Sequence, residues 1–149
     1  MTDHLAIVNI ADFHQRRHAL DPSRSFIVQA PAGSGKTELL IQRYLVLLAR
    51  VQSPEEIAAI TFTRKAAAEM RSRVLQALAS ARTEDRPPES HRALTWENAR
   101  AVLERDRALG WRLEENAARL RIQTIDALCA SLTRQMPVLA AFGAPPQSV

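Results

Sequence analysis

Apolar residues recur along this chain with two periods, and the switches between them mark its elements. Phe26, Ile27 and Val28 make a short β-prone run that reads as a buried parallel strand. From Lys36 to about Val51 the spacing turns helical, with Leu40, Tyr44, Leu47, Leu48 and Val51 as the predicted core face. Ser53-Pro54-Glu55-Glu56 is a helix-start signature, with proline at the first helical position and glutamate where a capping box needs it. That turn must be brief, because Ile57 to Phe62 (I-A-A-I-T-F) reads as a second buried strand. Thr63 then caps a helix from Arg64 to about Arg82, whose apolar stripe is Ala67, Met70, Val74, Ala77, Leu78 and Ala81. Strand, helix and strand in this order predict a right-handed crossover with the two strands parallel.

Thr83 to Ser90 is polar, holds two prolines and predicts a surface loop. From about Arg92 to Leu120 the pattern is helical again, with Trp96, Ala99, Val102, Leu103, Leu109 and Leu113 on a ragged apolar face and a break or kink at Gly110. It reads as a helical insertion that packs without chemistry of its own. Leu120 to Thr124 predicts a third strand, and Ile125, Leu128, Cys129, Leu132 and Met136 mark a last helix face. Ahead of the first strand, Ala11 to Leu20 predicts a short helix with Asn9 as its cap and Asp21-Pro22 as its end. Pro137 to Val149 reads as a loose tail. The whole pattern is α/β: a parallel sheet with flanking helices.

Composition narrows the class. The 149 residues suit one domain or a piece of a larger one, and 46% hydrophobic with 24% charged residues excludes a disordered chain. No apolar run approaches the ~18 residues of a membrane-spanning helix. The first ten residues lack the basic start and apolar core of a secretory signal, so the cytoplasm is the expected location. Twenty Lys+Arg against 16 Asp+Glu mildly favour a polyanionic partner, with solvated helix faces as the competing explanation. Cys129 stands alone, so no intrachain disulfide or thiolate metal cluster can form, and its place on an apolar face predicts a small buried residue. The four histidines lack metal-ligand spacing.

The chemistry is concentrated at Ala30-Pro31-Ala32-Gly33-Ser34-Gly35-Lys36-Thr37-Glu38. Glycines let backbone N–H groups turn inward around phosphate oxygens, and the following helix adds the positive end of its dipole. A lysine in the place of Lys36 reaches the β- and γ-phosphates, and the Thr37 hydroxyl can ligate Mg²⁺. The general phosphate-loop pattern has glycine where Ala30 stands, yet the G-S-G-K-T core is complete between a strand and a helix. Thr61, Thr63, Arg64 and Lys65 are expected on the same sheet edge as this loop. By spacing alone Gln15 is a solvated helix residue, and Arg43 lies off the apolar stripe of its helix.

With these motifs in order, the chain resembles the N-terminal part of superfamily 1 DNA helicases of the UvrD/RecB type. A-P-A-G-S-G-K-T is similar to that family's phosphate loop, which commonly begins with Ala or Gly. I-T-F-T-R-K-A-A-A-E-M-R resembles its motif Ia, and T-I-D-A-L-C resembles its motif Ib. The likeness is closest to RecB-like, exodeoxyribonuclease V beta or AddA-type proteins of recombination and repair. It implies an incomplete RecA-like P-loop NTPase core: residues 1–82 as its first part, 83–119 as linker and helical insertion, 120–136 as the return to the core, and 137–149 as a tail or the start of the next subdomain.

The resemblance also implies roles. ATP and Mg²⁺ would be held by Ala30 to Glu38, with Lys36 and Thr37 catalytic and Thr37 on the metal. Gln15, twenty-one positions before Lys36, takes the place of the family's adenine-reading glutamine, and Arg43 that of the arginine on the base side. Phe62, Thr63, Arg64 and Thr124 take DNA-contacting places. Phe62 would either pack against a base or sugar or be a buried strand residue. Asp126 departs from the family's histidine, and a carboxylate is unfavourable beside a phosphate backbone. The implied partners are single-stranded and duplex DNA, a second RecA-like domain and other members of a recombination complex, with movement along DNA, unwinding and double-strand-break repair as the function. The family's acidic D-E-x-x-D motif, which holds Mg²⁺ and helps activate water, does not occur in these residues. The expectation is therefore an N-terminal fragment of a longer helicase, inactive alone. A different phosphate-loop enzyme such as a kinase, or a truncated nucleotide- or DNA-binding module, are the other readings.

Overall fold

The computed structural model describes residues 6–9, 13–29 and 35–135. In chain order these form β1 (Ala6–Asn9), α1 (Phe13–His18), β2 (Phe26–Gln29), α2 (Lys36–Leu48), a 3-10 turn (Pro54–Glu56), β3 (Ala58–Thr61), α3 (Arg64–Thr83), α4 (Ser90–Leu109), a second 3-10 turn (Ala117–Arg119), β4 (Arg121–Thr124) and α5 (Ile125–Gln135). The mixed α/β class and the parallel pairing of strands are as expected.

The choice of strand partners is not. Strand β2 pairs with β1, Ala6 opposite Phe26 and Asn9 opposite Gln29, while β3 pairs with β4, Ala58 opposite Arg121 and Thr61 opposite Thr124. Among the described residues no ladder joins β2 to β3. The expected direct crossover between these two strands is therefore replaced by two others, and Asn9 closes a strand rather than capping a helix. A four-residue apolar run specifies an extended segment, but its neighbour is selected by packing over the whole chain.

Both strands read as fully buried are covered on one face only. Ile27 and Ile60 are each 44% exposed, whereas Phe26, Val28, Ala59 and Thr61 are partly buried. Alternation of this kind leaves each strand with one covered and one open face among the described elements.

Helix α2 is the spine of the molecule. Its Ile41, Tyr44, Leu45 and Leu48 join Ala67, Val74, Leu78 and Ala81 of α3, Ala99 and Val102 of α4, and Leu120 and Ile122 in the larger core. On another side its Leu39 meets Ala19 and Leu20, with Phe26, Val28 and Val46 against them. Leu40, expected in the core, is 52% exposed, while Leu39, Ile41 and Gln42 are buried. The helix is apolar nearly all round, so its sequence offers no unique stripe, and the two cores select the buried arc.

Elsewhere local signals are realised as read. The Thr63 hydroxyl accepts the Ala66 amide at 3.1 Å and caps α3, whose buried residues follow the expected stripe. The Glu56 carboxylate accepts the Ser53 amide at 2.7 Å in the capping turn. Helix α4 stops at Gly110, in the left-handed region at φ 68°. Beyond it the Asp106 carboxylate accepts the amides of Arg112 and Leu113, turning Trp111 and Leu113 into the same core as α2 and α3.

Helix α5 departs from expectation. It rests on β4, but Ile125 and Leu132 are exposed and so is Cys129, which was expected to be buried. Its apolar face is correctly periodic, yet no described element covers it. Met136 and residues 137–149 lie outside the described residues. Among the described residues no helix is long and apolar enough to cross a membrane.

Candidate functional site

The candidate residues fall into two groups. In the first, β2 precedes the glycine-rich segment, and α2 begins after it at Lys36 with Gly35 as its N-cap. Ala30, Pro31, Ala32, Gly33 and Ser34 lie outside the described residues. Gly35 adopts φ 87°, a left-handed conformation that a side chain disfavours. A Cβ there would also stand 3.0 Å from the Arg16 guanidinium. Lys36 and Thr37 follow in the first turn with exposed side chains. First-turn amides of a helix have no intrahelical acceptor, and together with the dipole they form an anion site.

These features fit a bound nucleotide triphosphate. Lys36 and Thr37 are exposed at the helix start, beside its first-turn amides. For Mg²⁺ the Thr37 hydroxyl is a hard oxygen donor. Among the described residues no group of three or more His, Cys, Asp or Glu assembles as a metal cage. Thr37 would supply one oxygen of such a site, and the carboxylate that usually joins phosphate oxygens and water around this ion is not among these residues.

Helix α1 stands beside this start. Gln15 lies on it, and Arg16 donates from Nη1 to the Gly35 carbonyl at 3.4 Å. Arg43 of α2 donates to the carbonyls of Ala19 at 2.8 Å, Asp21 at 3.1 Å and Arg24 at 2.7 Å, and its guanidinium lies 5.2 Å from the centre of the Phe26 ring. Burial pulls its pKa below the ordinary arginine value, an effect partly offset by the Asp21 charge. Arg43 thus ties down the turn between α1 and β2, which sets α1 beside the start of α2.

The second group gathers at the ends of β3 and β4. Because Thr61 is in register with Thr124, Phe62-Thr63-Arg64 and Thr124 emerge side by side. Each strand runs directly into a helix: Thr63 caps α3, and the Thr124 hydroxyl accepts the Ala127 amide at 3.1 Å at the start of α5. Each hydroxyl retains its own proton for an outside acceptor. Phe62 is 93% exposed, which overturns its reading as a buried strand residue. It lies just past the last residue of β3, where the chain leaves the sheet. Arg64 and Lys65 occupy the first turn of α3, which holds no acidic residue. Cations at the positive end of a helix are unfavourable by about 0.3–1 kcal/mol each. Asp126 in the first turn of α5 is electrostatically favourable there.

Three residues were missed in the sequence. Arg16 neighbours Gly35, and only its adjacency to Gln15 could have drawn notice. Gln42 is fully buried; its amide donates to the His91 carbonyl and to the Thr95 hydroxyl, each at 3.0 Å. The Thr95 hydroxyl donates to a Glu38 carboxylate oxygen at 2.6 Å. Fifty-seven positions separate Glu38 from Thr95, so no local pattern announces the contact.

Comparison with known proteins agrees with this arrangement of motifs. DNA helicase II of Salmonella typhimurium is 49% identical over 63 residues, 42% of this chain and 9% of the relative. DNA helicase IV of Escherichia coli is 46% identical over 65 residues, 43% of this chain and 10% of the relative. An ATP-dependent helicase/nuclease protein of Ligilactobacillus salivarius is 37% identical over 82 residues, 54% of this chain and 7% of the relative. The matched part of the chain spans a tenth or less of these relatives. No solved structure matches. The sequence profile of the UvrD/REP helicase N-terminal domain covers residues 11–143, and the chain belongs to that family.

Proposed function

We propose that this chain is the N-terminal ATP-binding part of a cytoplasmic DNA helicase that uses ATP to move along single-stranded DNA and separate duplex strands, in recombination or break repair. The reading rests above all on the register of β3 with β4. That register sets an exposed aromatic ring, two threonine-capped helix starts and two first-turn cations beside one another. Phosphates would take the helix starts, Arg64 and Lys65, and a base would stack on Phe62. Family membership and the helix start at Lys36 support the ATP half of the reading.

In this reading a bound Mg²⁺ would supply charge neutralisation at the phosphates. Lys36 orients the β- and γ-phosphates, the first-turn amides of α2 hold them, and Thr37 offers its hydroxyl to the ion. Gln15 and Arg43 stand on the base side, Gln15 in contact and Arg43 by holding α1 in place. Turnover draws on an acidic motif that these 149 residues do not contain, so the segment alone would bind nucleotide without hydrolysing it.

The test is Lys36→Ala in the full native polypeptide, assayed for ATP hydrolysis with and without single-stranded DNA. The expected outcome is a fall in DNA-stimulated turnover of about 100-fold or more, with DNA binding retained. Turnover at the native rate would sink the assignment, and phosphoryl transfer to a small molecule without DNA dependence would replace it with a kinase.

A further inference from the structure

We infer that Thr95 of α4 is a positioning residue for the nucleotide site, holding the Glu38 carboxylate away from the amides that bind phosphate. This deepens the ATP-binding reading above and rests on it.

The argument begins with where Glu38 stands. With Gly35 as N-cap and Lys36 as first helical residue, Glu38 is the third residue of α2. A glutamate at this position can fold back to accept the N-cap amide, the half of a capping box that a glycine N-cap still allows. In a phosphate-binding helix that habit is harmful. The carboxylate would occupy the donors that the phosphates need and set negative charge beside an anionic ligand. Here the carboxylate is turned the other way, to the Thr95 hydroxyl at 2.6 Å.

The direction of that bond is dictated by its neighbours. The His91 carbonyl is an acceptor only, so the Gln42 side chain must present its NH₂ group to it, at 3.0 Å. The other proton of the same NH₂ goes to the Thr95 oxygen, also at 3.0 Å. The Thr95 oxygen is thus already an acceptor, and its single proton is left to donate. Two acceptors compete for it: the Glu38 carboxylate at 2.6 Å and the His91 carbonyl at 3.3 Å. The nearer and charged one wins. Gln42 is fully buried while Glu38 and Thr95 are half-buried, so one end of the relay is anchored between α2 and α4. Glu38 also borders an open cavity of about 560 Å³ that Arg73, Glu84, His91 and Arg92 share.

The experiment measures binding of Mg·ADP to the full native polypeptide by calorimetry. Thr95→Val keeps the shape and removes the hydroxyl. It should weaken ADP about tenfold while Thr95→Ser binds like the native protein, and the loss should appear in KM for ATP more than in kcat. Glu38→Gln, which cannot carry the repulsive charge, should suppress the loss, so that Thr95→Val adds nothing in that background. Native-like binding by Thr95→Val, or an equal loss in the Glu38→Gln background, would overturn the inference. Lys36→Ala measured alongside separates the two levels. If it too leaves ADP binding intact, the nucleotide site itself is misassigned. If it abolishes binding while Thr95→Val does not weaken it, only the role of Thr95 falls.

Discussion

Tyr44 carries its hydroxyl into the core of α2, α3 and β4, where that oxygen finds no well-formed hydrogen bond among the described residues. Burial pushes its pKa up to about 12, against a smaller opposing pull from the Arg121 backbone and the Arg71 charge. The sign of the consequence follows from proton counting. As pH rises through the ordinary tyrosine value of 10.0, the unfolded chain releases this proton while the folded one keeps it. The unfolded state then binds fewer protons, and stability falls until the folded pKa is reached. Tyr44→Phe should therefore remove part of the alkaline loss of stability seen by urea unfolding between pH 10 and 12. At pH 7 it should be neutral or stabilising by up to about 1 kcal/mol, because an unpartnered buried hydroxyl is a cost. A loss of more than that at pH 7 would mean that the hydroxyl has a partner after all.

At the scale of elements, helix starts concentrate both stability and chemistry. Thr63 and Thr124 each close a helix that begins directly at a strand end, a local device that also presents amides and a hydroxyl outward. Helix α3 then places Arg64 and Lys65 where its own dipole disfavours them. The two effects of Lys65→Gln should accordingly have opposite signs. Thermal melting should show a gain of about 0.3–1 kcal/mol, since an unfavourable charge is gone. A salt titration of single-stranded DNA binding should show weaker affinity and a log–log slope smaller by about 1. An unchanged slope would take Lys65 off the DNA path. Elsewhere in the fold Arg119 donates from Nε and Nη2 to the two Glu55 carboxylate oxygens, at 2.7 and 3.2 Å, and joins the two 3-10 turns. That bond holds the Glu55 carboxyl below the usual range, so its contribution is present above the ordinary carboxylate pKa and is lost as pH falls through the lowered one.

For the whole molecule, one layer of three helices binds the parts together. Trp111 is buried where the chain leaves α4, and its indole donates to the Gln52 carbonyl, just past α2, at 2.9 Å. It therefore secures the ends of two helices far apart in sequence. Trp111→Ala should cost about 3–5 kcal/mol, through lost burial and a carbonyl left without its donor. Trp96, partly exposed and bonded to the Glu84 carbonyl, should cost clearly less when truncated. Urea midpoints of the two variants check the order, and equal costs would show that the core is not shared as the packing indicates. Helix α4 belongs to the same layer: its Ala99 and Val102 lie in one core with α2 and α3.

Sequence by itself determined whatever depends on neighbours a few residues apart. The glycine-lysine-threonine start of α2, the Thr63 cap, the stripe of α3 and the stop at Gly110 are short-range matters of backbone conformation, capping and helical period. The ordered motifs that mark the family were legible for the same reason. Tertiary structure alone decided which strands pair, which arc of the all-round apolar α2 is buried, that Cys129 and Phe62 face outward, and that Glu38 turns to Thr95. Each of those outcomes is set by contacts between residues tens of positions apart. A period of 2 or 3.6 specifies a face, but the partner that covers it is chosen by the packing of the entire chain.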